Sequence, residues 1–401
     1  MLTSRARLRR LLLARQGLLG ERALGGTRGA VTWISAQGFL PLDLEGHTLA
    51  PSHDLALFSR LSNYQLGDLD VALYDGTQLF EHCLHVPGAL PAADYALVYD
   101  PERAEAAARP GSPGARILSL LQAEGPMSLR ELQSELREHC DGDRRALTRA
   151  VHDLCASGAI VIRRREAGQE VYDLARRIWK STPAPLPSRE RLQALARRTL
   201  RILAPVTRTV WTQVLNGIGS RAKMGLTAMK HEKAQLINNL LDTGEAVAID
   251  LEDGVNSYFI PADWMPDLVN ARNGGLAGPN GGVRVSFLPS LDPVVWDRHR
   301  ARDLFGFDWR QPLVSPSAEM RRGTDQPLAI LYGDTLVGRL APQISWARRR
   351  LLVSGVELED PTLADEGRFR AAFATALHEL AALHEARDIQ VTGPVPPRLL
   401  P

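Results

Sequence analysis

The chain has 401 residues, of which 44% are hydrophobic and 23% charged, and its formal net charge is +2. This length predicts about two to four domains, and the composition is that of an ordinary globular protein, which excludes fibrous and disordered classes. The positive charge comes almost entirely from arginine, a bias that a GC-rich genome would also produce. Because the guanidinium fork matches phosphate geometry, clusters of arginine are more informative than the net charge.

Cysteine usage and hydropathy both favour the cytoplasm. The three cysteines, Cys83, Cys140 and Cys155, form no C-x-x-C pair, and an odd, sparse count suits a reducing compartment. No run of roughly 18 apolar residues predicts a membrane span. The N-terminal apolar run "LLLA" is too short for a signal peptide and is better explained by an amphipathic helix. We therefore expect a cytoplasmic protein with no membrane partner.

Residues 1–105 are mostly helical in pattern, with "DLALFSRLSNY" and "TQLFEHCLHVPGALP" as the clearest segments. We predict an N-terminal helical, winged-helix-like domain that contains the loop 38–53, which begins "GFLPLDLEGH". The segment "PERAEAAARPGSPGA" that follows crowds Pro and Gly together and therefore predicts a linker.

Residues 106–180 carry the clearest structural pattern of the chain. Ser128 stands at a helix start with Glu131 three residues later, which is the signature of a capping box. Two alternating segments around "EAGQ" predict a β-hairpin. Helices are predicted at 115–123, from Ser128 to about 138, and at about 143–156. Three helices followed by a hairpin predict a winged helix, with Leu118, Leu121, Leu132, Leu147, Val151 and Leu154 in its core.

The third helix and the hairpin of this module are both basic, as in winged helices that bind DNA. The predicted DNA-binding arginines are Arg144, Arg145 and Arg149 on the helix and Arg163, Arg164 and Arg165 on the hairpin. The alternative is that they form a solvated face of a winged helix that binds protein.

The rest of the chain predicts two further domains. After the Pro-rich joint "STPAPLPSRE", residues 181–270 repeat the same order of helices and strands more faintly, which predicts a second winged helix. Residues 271–401 begin with a glycine-rich connector and contain several β-rich segments and a final helix, "EGRFRAAFATALHELAALHEA". The predicted fold class is therefore α+β, with tandem winged-helix domains and a C-terminal β-rich closing domain.

Several blocks resemble the YcaQ/AlkZ family of winged-helix DNA glycosylases, which act on alkylated bases and interstrand crosslinks. The C-terminal blocks are "LDPVVWDRHRARDLFGFDW", "ILYGDTLVGRLAP" and "RRRLLVSGVELED", and the N-terminal blocks "ARQGLL", "LALFSRLSNY", "LFEHCLHVPGALP" and "DYALV" follow the family's order. The resemblance spans nearly the whole chain. It implies winged helices around a DNA channel and a DNA-repair protein associated with the nucleoid.

The family's catalytic motif is Gln-x-Gln or Gln-x-Asp in the loop before the "LALFSRL" helix. Aligning "FLPLD" with it places Pro41 at the Gln position and Asp43 at the Asp position, whereas a shift of two makes Asp43 and Glu45 the polar pair. Pro41 has no side-chain donor or acceptor in either register. Ala341 and Gln343 also depart from the family's charged positions.

During hydrolysis of an N-glycosidic bond, a carboxylate can stabilise the sugar cation and take a proton from the attacking water, without metal or cofactor. We predict Asp43 as this group and Glu45 as the reserve, while a helix cap is the structural alternative for Asp43. His47 and His53 flank the same loop and are further candidate DNA contacts, with simple solvent exposure as the alternative. The resemblance adds Arg298, Arg302 and Arg339 as candidates on the DNA channel.

Two functions remain open at this point. The first is a monofunctional DNA glycosylase for alkylated or crosslinked bases, acting as a monomer on damaged double-stranded DNA. The second is a non-catalytic DNA-damage-binding or regulatory protein that has kept the channel and lost the catalytic motif.

Overall fold

The structure is a computed structural model and describes residues 1–44, 49–137, 143–179, 184–221, 230–252, 254, 256–271, 283–309 and 327–400. It is a mixed α+β fold with five small sheets among these residues. Within the described ranges, no helix combines the length and the apolar character that a membrane crossing requires.

The N-terminal third alternates short helices and strands. Its elements are β1 (Leu2–Thr3), α1 (Arg5–Arg15), β2 (Leu24–Gly25), α2 (Gly26–Gln37), β3 (Leu40–Pro41), α3 (Ser52–Phe58), β4 (Leu61–Ser62), α4 (Asp68–Asp70), β5 (Leu79–Cys83), β6 (Pro87–Pro91), α5 (Tyr95–Val98) and α6 (Pro101–Ala107). Strands β3, β6 and β5 form one sheet in that order, and β2 pairs in parallel with β4.

The helix predicted from "TQLFEHCLHVPGALP" is wrong, because β5 and β6 form an antiparallel hairpin there. The first four residues of β5 are all buried, as are the last four of β6. A short segment buried on both faces lacks the alternation that marks a half-buried strand, so sequence periodicity does not separate it from a buried helix. Pro87 and Pro91 are the decisive signals, since neither can donate a helical hydrogen bond.

The linker predicted from "PERAEAAARPGSPGA" is in part a helix. Asp100 caps α6 by accepting a hydrogen bond from the backbone N–H of Arg103, and Pro101 occupies the first turn, where its missing N–H costs nothing. Only the residues between Ala107 and Pro113 connect α6 to the next helix. The Asp100–Pro101 pair therefore starts a helix in the first half of this segment, and the Pro and Gly residues that follow Ala107 form the connection.

The three helices and hairpin predicted at 115–174 are present. They are α7 (Pro113–Glu124), β7 (Met127–Ser128), α8 (Leu129–Glu135), α9 (Arg144–Ala156), β8 (Ile160–Glu166), β9 (Gln169–Leu174) and the short α10 (Ala175–Ile178). The capping box is confirmed, because Ser128 and Glu131 exchange side-chain to backbone hydrogen bonds. Of the six predicted core residues, five are buried and Leu118 packs half-buried beside them.

The same order of elements occurs a second time. It consists of α11 (Ser188–Leu203), β10 (Val206–Thr207), α12 (Arg208–Arg221), α13 (Lys230–Asp242), β11 (Ala246–Leu251), β12 (Ser257–Pro261) and α14 (Met265–Asn270). The N-terminal strand β1 joins this sheet in parallel with β11. Buried leucines of α1 pack in the same core. The first two elements of the chain, β1 and α1, therefore pack with this second set of elements.

The C-terminal region is built on a five-stranded sheet in sequential order. Its elements are β13 (Val285–Leu288), α15 (Arg298–Phe305), β14 (Leu328–Tyr332), β15 (Thr335–Ser345), β16 (Arg350–Leu358), α16 (Gly367–Leu383) and β17 (Asp388–Val391). Phe369, Phe373 and Leu380 of α16 are buried against the sheet. Leu49 and Leu55 belong to the same cluster, so the segment around α3 lies against this C-terminal core.

Candidate functional site

The chain turns sharply before it reaches Asp43. Helix α2 ends at Gln37, and Gly38 follows with φ +89°, a left-handed conformation that glycine adopts without steric cost. The two residues of β3 then pair with β6, and Leu42 donates its N–H to the carbonyl of Pro87 at 2.9 Å. The strand therefore fixes the position at which Asp43 leaves the sheet.

Asp43 is held at the N-terminus of α3. Its Oδ2 accepts a hydrogen bond from the Ser52 hydroxyl at 2.7 Å and from the Ser52 N–H at 3.4 Å. Its backbone N–H donates to Nδ1 of His53 at 3.0 Å. Asp43 thus satisfies an orphan donor of the helix and keeps a defined side-chain orientation.

Asp43 also lies on the wall of a cavity of about 550 Å³. Apolar walls come from Phe39, Leu55 and Trp296, among others, and polar atoms from Ser52 and a few more side chains. Asp43 is the one carboxylate among the described residues that line the cavity, and no lysine or arginine of the described chain lines it. The arrangement places a carboxylate beside apolar walls in a cavity of the size that small-molecule sites occupy.

Two buried glutamines, which the sequence analysis did not single out, line the same cavity. Gln16 follows α1 and is 2% exposed, and Gln37 ends α2 and is 8% exposed. Gln16 Nε2 donates to Gln37 Oε1 at 2.9 Å. A polar residue at a helix end is ordinarily exposed, so the sequence contains no signal for this pair.

Two histidines hold the segment that carries Asp43. Burial is the largest influence on His53 and lowers its pKa to about 4. His384 Nε2 accepts the Ala50 N–H at 2.9 Å, and burial lowers the pKa of His384 as well. His53, predicted as a DNA contact, is therefore largely enclosed and bonded to the loop. Glu45 and His47 lie outside the described residues.

The predicted arginines divide into two groups. Arg144, Arg145 and Arg149 are exposed on α9, and Arg164 is exposed on β8, where it pairs with Glu166 at 2.6 Å. By contrast, Arg163 is half-buried and donates to the carbonyl of Tyr74, and Arg165 forms ion pairs with Glu81 and Glu170. These two arginines therefore bind within the protein and join β8 to the N-terminal region.

The C-terminal basic candidates also differ in accessibility. Arg298 stacks over the ring of Trp309 at 4.0 Å and is half-buried, and Arg302 is exposed beside Asp308 at 2.7 Å. Arg339 is 1% exposed, and it donates to the Asp308 carbonyl and forms an ion pair with Glu357 at 2.8 Å. Its guanidinium is therefore bonded within the C-terminal region, and Arg339 offers almost no surface to DNA.

No group of three or more His, Cys, Asp or Glu side chains suited to a metal ion occurs in the described part of the chain. The segment "EHCLH" belongs to β5 and the turn after it. There Glu81 binds Arg165 and Tyr74, and His82 is buried, with its pKa lowered to about 4 mainly by that burial. Glu81 and His82 therefore serve ion pairing and packing.

Two comparisons bear on the identity of this fold and site. A protein-family model for AlkZ-like DNA glycosylases matches residues 38–383, a range that begins at the turn into the Asp43 loop. The solved structure of the Streptomyces sahachiroi DNA glycosylase AlkZ is similar, with a TM-score of 0.62 and 14% sequence identity over 98% of this chain and 100% of that one. At this identity the structural likeness shows a shared fold.

Proposed function

Because the chain belongs to the AlkZ-like DNA glycosylase family, as the sequence blocks predicted, we propose that it is a DNA-repair glycosylase. Its reaction is hydrolysis of the N-glycosidic bond of alkylated or crosslinked bases in double-stranded DNA. One observation carries this proposal: the Asp43 carboxylate lies on the wall of a cavity of about 550 Å³, within the range of roughly 300–1,000 Å³ that small-molecule sites occupy.

The chemistry assigned to Asp43 follows from its surroundings. Departure of the base leaves positive charge on the sugar, and a carboxylate in an apolar enclosure stabilises that charge more strongly than water does. The same carboxylate can accept a proton from the attacking water. The Ser52 hydroxyl fixes Oδ2 at 2.7 Å, which gives the carboxylate a defined direction. Glu45 remains the reserve candidate for this role.

DNA binding is assigned to the repeated element order and its exposed arginines. Helix, strand, two helices and hairpin occur twice, as expected of tandem winged helices, and the C-terminal sheet would close the channel beside them. Exposed Arg144, Arg145 and Arg149 on α9 are the main phosphate contacts in this proposal, with Arg164 on the hairpin. Arg302 is a further exposed candidate. We expect a monomer to suffice.

One observation favours the alternative of a non-catalytic damage-binding protein. Asp43 accepts both the hydroxyl and the N–H of Ser52, so it already has a structural task at the start of α3. Pro41, at the position of the family's Gln, supplies no side-chain hydrogen bond. A protein that had lost its chemistry could keep Asp43 for this cap alone.

The test is single-turnover release of N7-methylguanine from a duplex, scored as abasic sites. We expect the native chain to release the base and Asp43→Asn to be slower by at least about 100-fold, with DNA affinity nearly unchanged. Asp365→Asn, which removes an exposed carboxylate that does not line the cavity, is the matched control. Loss in Glu45→Gln instead would move the role to Glu45. Tight binding of damaged DNA without any abasic sites would establish the damage-binding alternative.

A further inference from the structure

The two buried glutamines of the cavity form a hydrogen-bonded pair whose orientation is set by its neighbours. At one end, Gln16 Oε1 lies 3.4 Å from Nη2 of Arg60, and a guanidinium can only donate. At the other end, Gln37 Nε2 lies 2.7 Å from the carbonyl oxygen of Arg15, which can only accept. Between them, Gln16 Nε2 must donate to Gln37 Oε1. Neither amide can flip without facing donor to donor or oxygen to oxygen.

Arg60, the residue that donates to the Gln16–Gln37 pair, is itself held rigidly. The Nη1 and Nη2 atoms of Arg60 donate to the carboxylate of Asp292, at 2.7 and 2.9 Å, and both side chains are fully buried. Asp292 is itself held by the N–H of Val294 at 2.9 Å. The polarity of the amide pair is therefore imposed by a buried ion pair and does not depend on solvent.

Each amide nitrogen retains one unused hydrogen. A primary amide has two N–H hydrogens, and within the described part of the chain the Nε2 of Gln16 and the Nε2 of Gln37 each donate one hydrogen bond. Both residues line the cavity that contains Asp43. The cavity thus combines N–H donors from the amides with a carboxylate acceptor.

We propose that Gln16 and Gln37 form a donor wall that recognises a carbonyl oxygen of the base in the cavity, an inference that rests on the proposed glycosylase function. An alkylated guanine presents O6, an acceptor, whereas adenine presents a donating amine at the equivalent position. An amine facing the buried N–H donors would leave both groups without partners, which costs far more than a lost contact in water. The pair therefore makes the site selective for carbonyl-bearing bases.

The test compares a leaving base that presents a hydrogen-bond acceptor with one that presents a donor at the equivalent position. Single-turnover release is measured from duplexes containing N7-methylguanine or N3-methyladenine, with the native chain and with Gln37→Met, which keeps the length of the side chain and removes its donors. We expect release of N7-methylguanine to fall about tenfold, whereas release of N3-methyladenine should not fall, because the variant removes donors that oppose its amine. Gln65→Met, at an exposed glutamine that does not line this cavity, should alter neither rate.

A structural role for the pair would give a different pattern, since a distorted cavity slows both reactions alike. Equal losses on the two duplexes, or no loss on either, would overturn the donor wall while leaving the glycosylase function intact. If the native chain releases neither base, the proposed function fails. The donor wall is then tested by the affinities of the native chain and of Gln37→Met for the two duplexes. A preference for the N7-methylguanine duplex that disappears in Gln37→Met would support the donor wall, and equal affinities would overturn it.

Discussion

The backbone N–H of Asp43 donates to Nδ1 of His53 across 3.0 Å. A ring nitrogen accepts a hydrogen bond only when it carries no proton, so this contact requires a neutral imidazole. At the far end of the same segment, Ala50 donates to Nε2 of His384 at 2.9 Å. The loop that carries the candidate catalytic carboxylate is therefore tied to the fold by two histidines that must both stay neutral.

The first prediction is a loss of stability in acid that depends on His53. The pKa of His53 in the fold is about 4, below its ordinary value of 6.5, mainly because of burial, while Asp43, Asp70 and Glu81 act in the opposite direction. The neutral form is thus favoured in the fold. Its contribution is complete above about pH 6.5 and is lost as the pH falls towards 4, by at most about 3 kcal/mol.

Chemical denaturation of the native chain and of His53→Asn, at a series of pH values from 7 to 4, measures this effect. Asparagine keeps an acceptor and does not titrate, so the variant should lose less unfolding free energy than the native chain over that interval. Parallel pH profiles for the two chains would show that His53 stays charged or exposed in the fold and would contradict the pKa assignment.

The second prediction concerns the Ser52 hydroxyl, which lies 2.7 Å from Asp43 Oδ2. Ser52→Ala removes this hydrogen bond and leaves the Ser52 backbone N–H in place. We expect the rate of base release at saturating enzyme to fall about tenfold, with little change in DNA affinity, because the carboxylate loses its direction but not its charge. Ser354→Ala, which removes another partly buried hydroxyl outside the cavity, is the control. An unchanged rate in Ser52→Ala would show that the carboxylate needs no such support.

The sequence predicted the parts of the fold that local signals specify. Ser128 and Glu131 form their capping box from side chains three residues apart. The hairpin β5–β6 was mistaken for a helix because part of its burial comes from α11, which is distant in the chain. Local patterning cannot report burial that tertiary packing creates.

The candidate site shows the same division. Asp43 could be proposed because the loop resembles a known motif, and its contact with Ser52 agrees with the expected capping alternative. Gln16 and Gln37 could not be proposed, since their pairing needs two helix ends to meet across 21 positions of sequence. The burial of Arg339 depends likewise on the partner strand β16 that supplies Glu357.

The third prediction tests the buried ion pair behind the amides. Arg60→Met should leave the Asp292 carboxylate buried without its cation and lower the free energy of unfolding by about 3–5 kcal/mol. Arg302→Met is the matched control, because its ion pair with Asp308 is exposed at both ends, 59% and 45%, and such pairs contribute about 0–1 kcal/mol. Adding Asp292→Asn to Arg60→Met should recover part of the loss. Equal losses in the two single variants would refute the structural importance of the Arg60–Asp292 pair.

The last prediction concerns the exposed arginines of α9. If Arg144, Arg145 and Arg149 neutralise DNA phosphates, each contact releases bound counterions, and the logarithm of affinity falls with the logarithm of salt by roughly 0.9 per contact. The triple change to Ala should therefore weaken binding to any duplex and make this slope shallower by about 2–3, without altering the rate of base release at saturating enzyme. Arg398→Ala, which removes an exposed arginine near the C-terminus, should leave the slope as it is. Titrations of a fluorescent duplex at a series of salt concentrations provide the measurement. An unchanged slope in the triple variant would mean that α9 faces away from DNA, and the alternative of a protein-binding face would then account for its arginines.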